Sequence, residues 1–165
     1  MSGLYLVGRR RSHGFSFIEL LATLAIMAVL LLVAVPSARL VTQRHREAEL
    51  RSALATIRDG IDHYRKAVEQ GRIQAKLGQS GYPPDLAVLT EGVDDVSTPD
   101  RRKIYFLRRL PADPMYVGAA VDPAATWGLR SYASPPDAPA AGDDVFDVYS
   151  TSAGTGLNDV PYKDW

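Results

Sequence analysis

Two patterns of hydrophobic and polar positions divide this chain. From Leu20 to Val35 no residue is charged and only Thr23 is polar, so the segment is apolar on every face. Counted from Phe15 the run is about 21 residues, enough for a helix rising ~1.5 Å per residue to cross a ~30 Å hydrocarbon core. One carboxylate, Glu19, lies within it. An acid in lipid costs at least ~2.5 kcal/mol unless it is neutralised, which makes Glu19 a functional-site candidate. Pro36 follows, where a helix interior would lose a hydrogen bond and bend. Beyond it the pattern narrows to a stripe. Leu50, Leu54, Ile57, Ile61, Tyr64 and Val68 recur at alternating spacings of four and three, while Arg51, Arg58, Asp59, Asp62, Arg65, Lys66 and Glu69 fill the other faces. Gly60 is a weak point in that stripe, and Gly71 is a C-cap candidate. The pattern predicts one helix from about Phe17 to about Gln70, bent or broken near Pro36. The charged stretch Arg39–Arg51 reads as a solvated neck of the helix, with charge pairing between subunits or with anionic headgroups as the alternative.

From Leu77 the composition shifts to Gly, Pro and Asp. Gly81–Leu86 predicts a turn into a short helix ending at Gly92. Glu91–Asp100 reads as a polar loop, and Ile104–Leu110 as a short helix or strand stopped by Pro111. Thr126–Tyr132 and Asp144–Ser150 are the strand candidates, separated by the Pro-rich loop Ser134–Gly142. Thr151–Trp165 reads as loop. A long helix followed by an antiparallel pair packed on it is an α+β arrangement.

Charge changes the picture only in its distribution. The net charge is zero, yet Arg9, Arg10 and Arg11 stand ahead of the apolar run without an acid, while residues 77–165 hold thirteen acids against seven Lys/Arg. The first cluster votes for a cytoplasmic N-terminus, a vote that Arg39, Arg44 and Arg46 weaken. The acidic remainder argues against nucleic acid as a partner. There is no cysteine and therefore no disulfide framework. An ordinary secretory signal is disfavoured because the run exceeds the ~7–15 residues of such a core, includes Glu19 and leads into further helix.

The Gly14/Phe15 junction, Phe15-Ser16-Phe17-Ile18-Glu19, the apolar run and Pro36 together resemble the class III signal of type IV pilins and type II secretion pseudopilins. The resemblance implies a leader, residues 1–14, cut between Gly14 and Phe15 by a prepilin peptidase that N-methylates Phe15. It implies a transmembrane and polymerisation helix over 15–36 with Glu19 as the assembly carboxylate, an amphipathic continuation over 37–71, and a periplasmic globular part over 72–165. Tyr82-Pro83-x-x-Leu86, Tyr105 to Pro114 (ending Leu110-Pro111-x-Asp113-Pro114), Trp127-Gly128 with Tyr132, Asp147–Ser150 and Asp164-Trp165 are similar to the major pseudopilins. Membership there implies a helical homo-oligomer in the inner membrane and periplasm that helps drive folded proteins across the outer membrane. Its partners would be minor pseudopilins, an assembly platform and membrane lipid. A minor pilin, a type IV pilus or competence subunit, and a monomeric membrane-anchored binding protein are the alternatives.

Calcium is the one cofactor the resemblance raises, because major pseudopilins commonly bind it in the loop before the C-terminus. Asp143, Asp144, Asp147, Asp159 and Asp164 are close in sequence, and calcium takes six to eight oxygens. The corresponding stretch here, Ser150–Gly156, has no carboxylate, and Gly154 stands about where the family places an aspartate. Ser152, Asn158 and Asp159 are the ligands expected if the loop holds the ion. No catalytic constellation is present: His13, His45 and His63 are scattered, and no nucleophile elbow or phosphate-binding loop occurs. The aromatics Tyr105, Phe106, Trp127, Tyr132, Phe146 and Tyr149 are expected in the core.

Overall fold

The computed structural model describes residues 16–75, 78–119 and 122–165, and within its first helix the side chains of 33–38 are left undescribed. The leader, Gly14 and Phe15 therefore lie outside the described residues. Helix α1, Phe17–Glu69, is continuous in secondary structure through Pro36. It ends where the stripe predicted. Gly71 adopts φ +69°, its N–H donates to Val68, and the Arg72 N–H reaches back to the Ala67 carbonyl. This is a Schellman ending, in which a left-handed glycine lets two otherwise orphaned carbonyls be satisfied.

The chain divides into two units, Met1–Val41 and Thr42–Trp165. The described part of the first is helix alone. The second builds a core on the stripe. Leu50, Leu54, Ile57, Ile61 and Tyr64 are buried with Leu86, Leu89, Met115, Trp127, Val145, Val148 and Tyr162. The small residues Ala53 and Ala67 widen the buried face. Gly60 turns out to have a packing role, since a Cβ there would stand 3.1 Å from Leu107 Cγ.

Helix α2, Val88–Glu91, follows the Pro83-Pro84 turn, and Asp85 accepts the Val88 N–H at its start. Strands β1, Val93–Asp94, and β2, Lys103–Ile104, pair antiparallel, with Val93 opposite Ile104. The expectation of an unbroken loop over 91–100 is thus corrected. Polarity concealed the strand because only two residues pair and Asp94 faces solvent. Past Ile104 the chain is irregular, neither helix nor further strand, because the Phe106 and Leu107 N–H groups both donate to the Leu89 carbonyl. Strands β3, Trp127–Arg130, and β4, Asp147–Ser150, form the second antiparallel pair, with Trp127 opposite Ser150 and Arg130 opposite Asp147. A 3₁₀ turn, Pro123–Thr126, leads into β3, and another, Tyr162–Asp164, closes the chain. The arrangement is a pilin-like α+β fold.

Buried polar groups join these short pieces. Ser150 Oγ donates to Asp113 Oδ2 at 2.6 Å, Asp113 Oδ1 accepts the Met115 N–H, and the Asp113 N–H donates to Thr126. Trp127 Nε1 donates to the Pro111 carbonyl at 2.8 Å. The buried Asp95 accepts from the N–H and hydroxyl of Ser97 and from Arg72 at 2.7 Å. Those Ser97 hydrogen bonds, with Arg72 second, hold the Asp95 carboxyl below its usual range.

A carboxyl whose pKa is depressed on folding stabilises above its unfolded value, ~3.9, and that contribution disappears as pH falls through the folded value. Thermal unfolding of Asp95→Asn should therefore show a deficit against the parent near neutral pH that closes below about pH 4. A deficit independent of pH would refute the assignment.

Candidate functional site

Unit 1 presents a helix with an unusual surface. Phe17 and Ile18 are 76% and 74% exposed, and Leu20, Leu24, Ile26, Met27, Val29, Leu30, Leu31 and Leu32 are also exposed, covering every face. Thr23 hides its hydroxyl against its own helix by donating to the Leu20 carbonyl. A helix apolar all round is stable only when something other than water surrounds it. Among the described residues no helix is long and apolar enough to cross a membrane. In the sequence the run extends to Val35.

Glu19 occupies the first turn of α1, and its Oε2 accepts the Ser16 N–H at 3.5 Å. With Ser16 preceding Phe17, Ser16-x-x-Glu19 has the spacing of a capping box, in which the acid at the third helical position satisfies the N–H of the cap residue. The carboxylate is thus exposed at the positive end of a helix, where a negative charge is favoured and a second cationic group can approach it. This local role is readable from the spacing Ser16-x-x-Glu19.

In unit 2 the helix bears two polar centres that tie down the last fifteen residues. Glu47 is 3% exposed. Its Oε1 accepts the Leu157 N–H at 2.9 Å, the Tyr162 hydroxyl at 3.1 Å and Gln43 Nε2 at 3.0 Å. Burial, with the Glu47 acceptor adding to it against the Gln43 hydrogen bond, raises the Tyr162 phenol pKa. About three turns farther on, Arg58 Nε donates to Asp147 Oδ1 at 2.7 Å, and Nη2 donates to the main-chain oxygens of Val148 and Trp165 at 3.2 and 2.8 Å. Arg51 lies 4.2 Å over the Trp165 ring, a cation–π contact. The sequence pattern points to neither centre, because Glu47 falls within the charged stretch Arg39–Arg51. The signal was available: Glu47 precedes Leu50 by three and so extends the buried stripe by one position.

The candidate calcium ligands have local hydrogen bonds or face solvent. Ser152 Oγ accepts the Gly154 N–H and Asn158 Oδ1 accepts the Val160 N–H, each at 3.3 Å, while Asp159 is exposed at φ +60°. Nearby acids are committed elsewhere, Asp144 to the Tyr132 N–H and Asp147 to Arg58. Among the described residues no three His, Cys, Asp or Glu side chains gather where a metal could bind.

The aromatic expectation holds for Trp127, which is buried, but Tyr105 and Tyr132 are both 62% exposed. Tyr132 stacks on Tyr82 at 5.7 Å and meets Phe146 edge-on, so its ring is held by neighbours on one side while the other faces water. Of the described histidines, His63 stands 3.2 Å from Asp59 on the same exposed helix face. Asp143 and Asp144 precede β4 rather than lying on it.

Residues 9–35 match the model of the prokaryotic N-terminal methylation motif. No curated protein and no solved structure matches the chain. The motif is the signal of the pilin-like class, and it covers the Gly14/Phe15 junction, Glu19 and the helix that is apolar on all faces. Structural subunits, typically without enzymatic activity, are what such a signal introduces.

Arg58→Lys preserves the charge but not the fork that reaches three acceptors. Chemical denaturation should show a loss of about 1–2 kcal/mol, modest because the side chain is partly solvated. Tryptic cleavage near Lys163 should become faster than in the parent. An unchanged midpoint and cleavage rate would count against the clamp.

Proposed function

We propose that this chain is a structural subunit of the type II secretion pseudopilus, a filament that helps drive folded proteins across the outer membrane. The observation that carries the reading is the coincidence, within one segment, of the methylation motif and a helix apolar on every face. The subunit is made as a precursor in the inner membrane with its N-terminus in the cytoplasm and its larger unit in the periplasm. A prepilin peptidase cuts between Gly14 and Phe15 and methylates the new amine. The segment Phe15–Val35 then serves first as lipid anchor and afterwards as filament core. That exchange is tolerable because apolar side chains leave lipid for equally apolar neighbouring helices.

Glu19 gives the exchange its register. Apolar helices slide past one another with little preference, whereas the amine of Phe15 on an incoming subunit and Glu19 of its neighbour attract strongly once water is excluded. The attraction offsets the cost of desolvating both groups only when they meet. Pro36 lacks an N–H for the helix ladder, and a bend there accommodates packing in the filament. The assembly platform and minor pseudopilins are the further partners. A type IV pilus or competence subunit would share all of these steps, and the resemblance of the C-terminal motifs, from Leu110–Pro114 to Asp164-Trp165, favours the secretion system.

Mass spectrometry of the mature protein should find a chain that begins with N-methylated phenylalanine at position 15 and retains the apolar segment. A mature chain beginning after Pro36 would refute the reading. Crosslinking in membranes should give an oligomer ladder from the parent and little beyond monomer from Glu19→Ala. Equal ladders would remove the register role, and monomer alone from both would favour a membrane-anchored binding protein. Deletion should abolish export of folded proteins; loss of twitching or DNA uptake instead would assign a pilus or competence system.

A further inference from the structure

We infer that the C-terminal loop, residues 151–165, is organised around the Glu47 carboxylate and folds without a divalent cation, in contrast to the calcium loop that the major pseudopilins would lead one to expect. The polarity of the loop is the reason. A cation gathers oxygens, so a loop built for one turns carbonyls and carboxylates inward. Here the group at the centre is itself an acceptor, and donors point at it: the Leu157 N–H, the Tyr162 hydroxyl and the Gln43 amide all converge on Glu47 Oε1. A cation in that position would face hydrogens instead of lone pairs.

The rest of the loop closes on itself. Thr155 and Pro161 form a bridge, the Gly156 N–H donates to the Val160 carbonyl at 2.9 Å, and the Tyr162 N–H donates to Gly154 at 3.1 Å. Gly156 is buried where a Cβ would stand 2.4 Å from the Trp165 ring, so the loop can approach that ring only because the position carries no side chain. The Trp165 indole N–H donates to the Val160 carbonyl, and its main-chain oxygen is held by Arg58. Two side chains of α1 with opposite charge therefore do the cross-linking: Glu47 takes up donors and Arg58 takes up acceptors. Ser152, Asn158 and Asp159 retain local hydrogen bonds or face solvent, and none of them is needed at the centre.

The inference does not rest on the proposed filament, and its test uses neither secretion nor assembly. The full-length chain, purified in detergent, is followed by hydrogen-exchange mass spectrometry and thermal unfolding with millimolar CaCl2 or with EGTA. Exchange in 151–165 and the unfolding midpoint should be the same in both. Glu47→Ala should speed exchange in that segment roughly tenfold or more while β3 stays protected, since a buried acceptor has been removed from three donors. Should Glu47→Ala fail to fold, Glu47→Gln is the readout. It retains one acceptor but brings N–H groups into a cluster of donors, so faster exchange is again expected. Calcium-dependent protection that is lost in Asp159→Asn would overturn the inference, as would unaltered exchange in both Glu47 variants.

Discussion

Burial of one helical stripe is the constraint on which the larger unit depends. Its strands are too short to hold themselves together: β1 and β2 have two residues each, and β3 and β4 have four. A two-stranded ribbon is marginal in water unless an apolar face packs against something else. Leu50, Ile57 and Ile61, almost fully buried, are that something, with Val145, Val148 and Leu89 seated among them. Removing the stripe would leave loops with little apolar area to offset the entropy of ordering them.

Hydrophobic contact alone does not fix how so irregular a chain lies on a helix, and the polar centres supply that specification. Glu47 and Arg58 meet the tail, Asp113 meets Ser150, and Asp95 meets Arg72 and Ser97. A buried polar group is tolerated only with its partners in place, so each of these contacts selects one placement of the chain over its neighbours. Arg51 adds a contact of mixed character, packing its guanidinium on Trp165 while remaining near Glu47.

The same helix meets different demands along its length. In unit 2 it shows one apolar face and buries it within its own chain. In unit 1 its apolar side chains cover the whole circumference and are exposed, a surface suited to lipid or to copies of the same helix. A single carboxylate at the first turn, already placed to satisfy the helix start, is the polar mark on that surface.

Much of this was legible in the residues themselves. The period of Leu50 to Val68, the absence of charge from Leu20 to Val35 and the glycine at position 71 determined the helix and its end, because helical period and capping are local properties. The junction at Gly14/Phe15 and the spacing to Glu19 determined the class of signal for the same reason. The strand pair was foreseen at β3 and β4 but missed at β1 and β2, where pairing of two residues leaves no periodic trace. Only the tertiary structure decided that Glu47 is buried, that Arg58 reaches a residue 107 positions away, and that the last loop turns its donors inward. Those are contacts between segments remote in sequence, and no local pattern encodes which distant group a charge will meet.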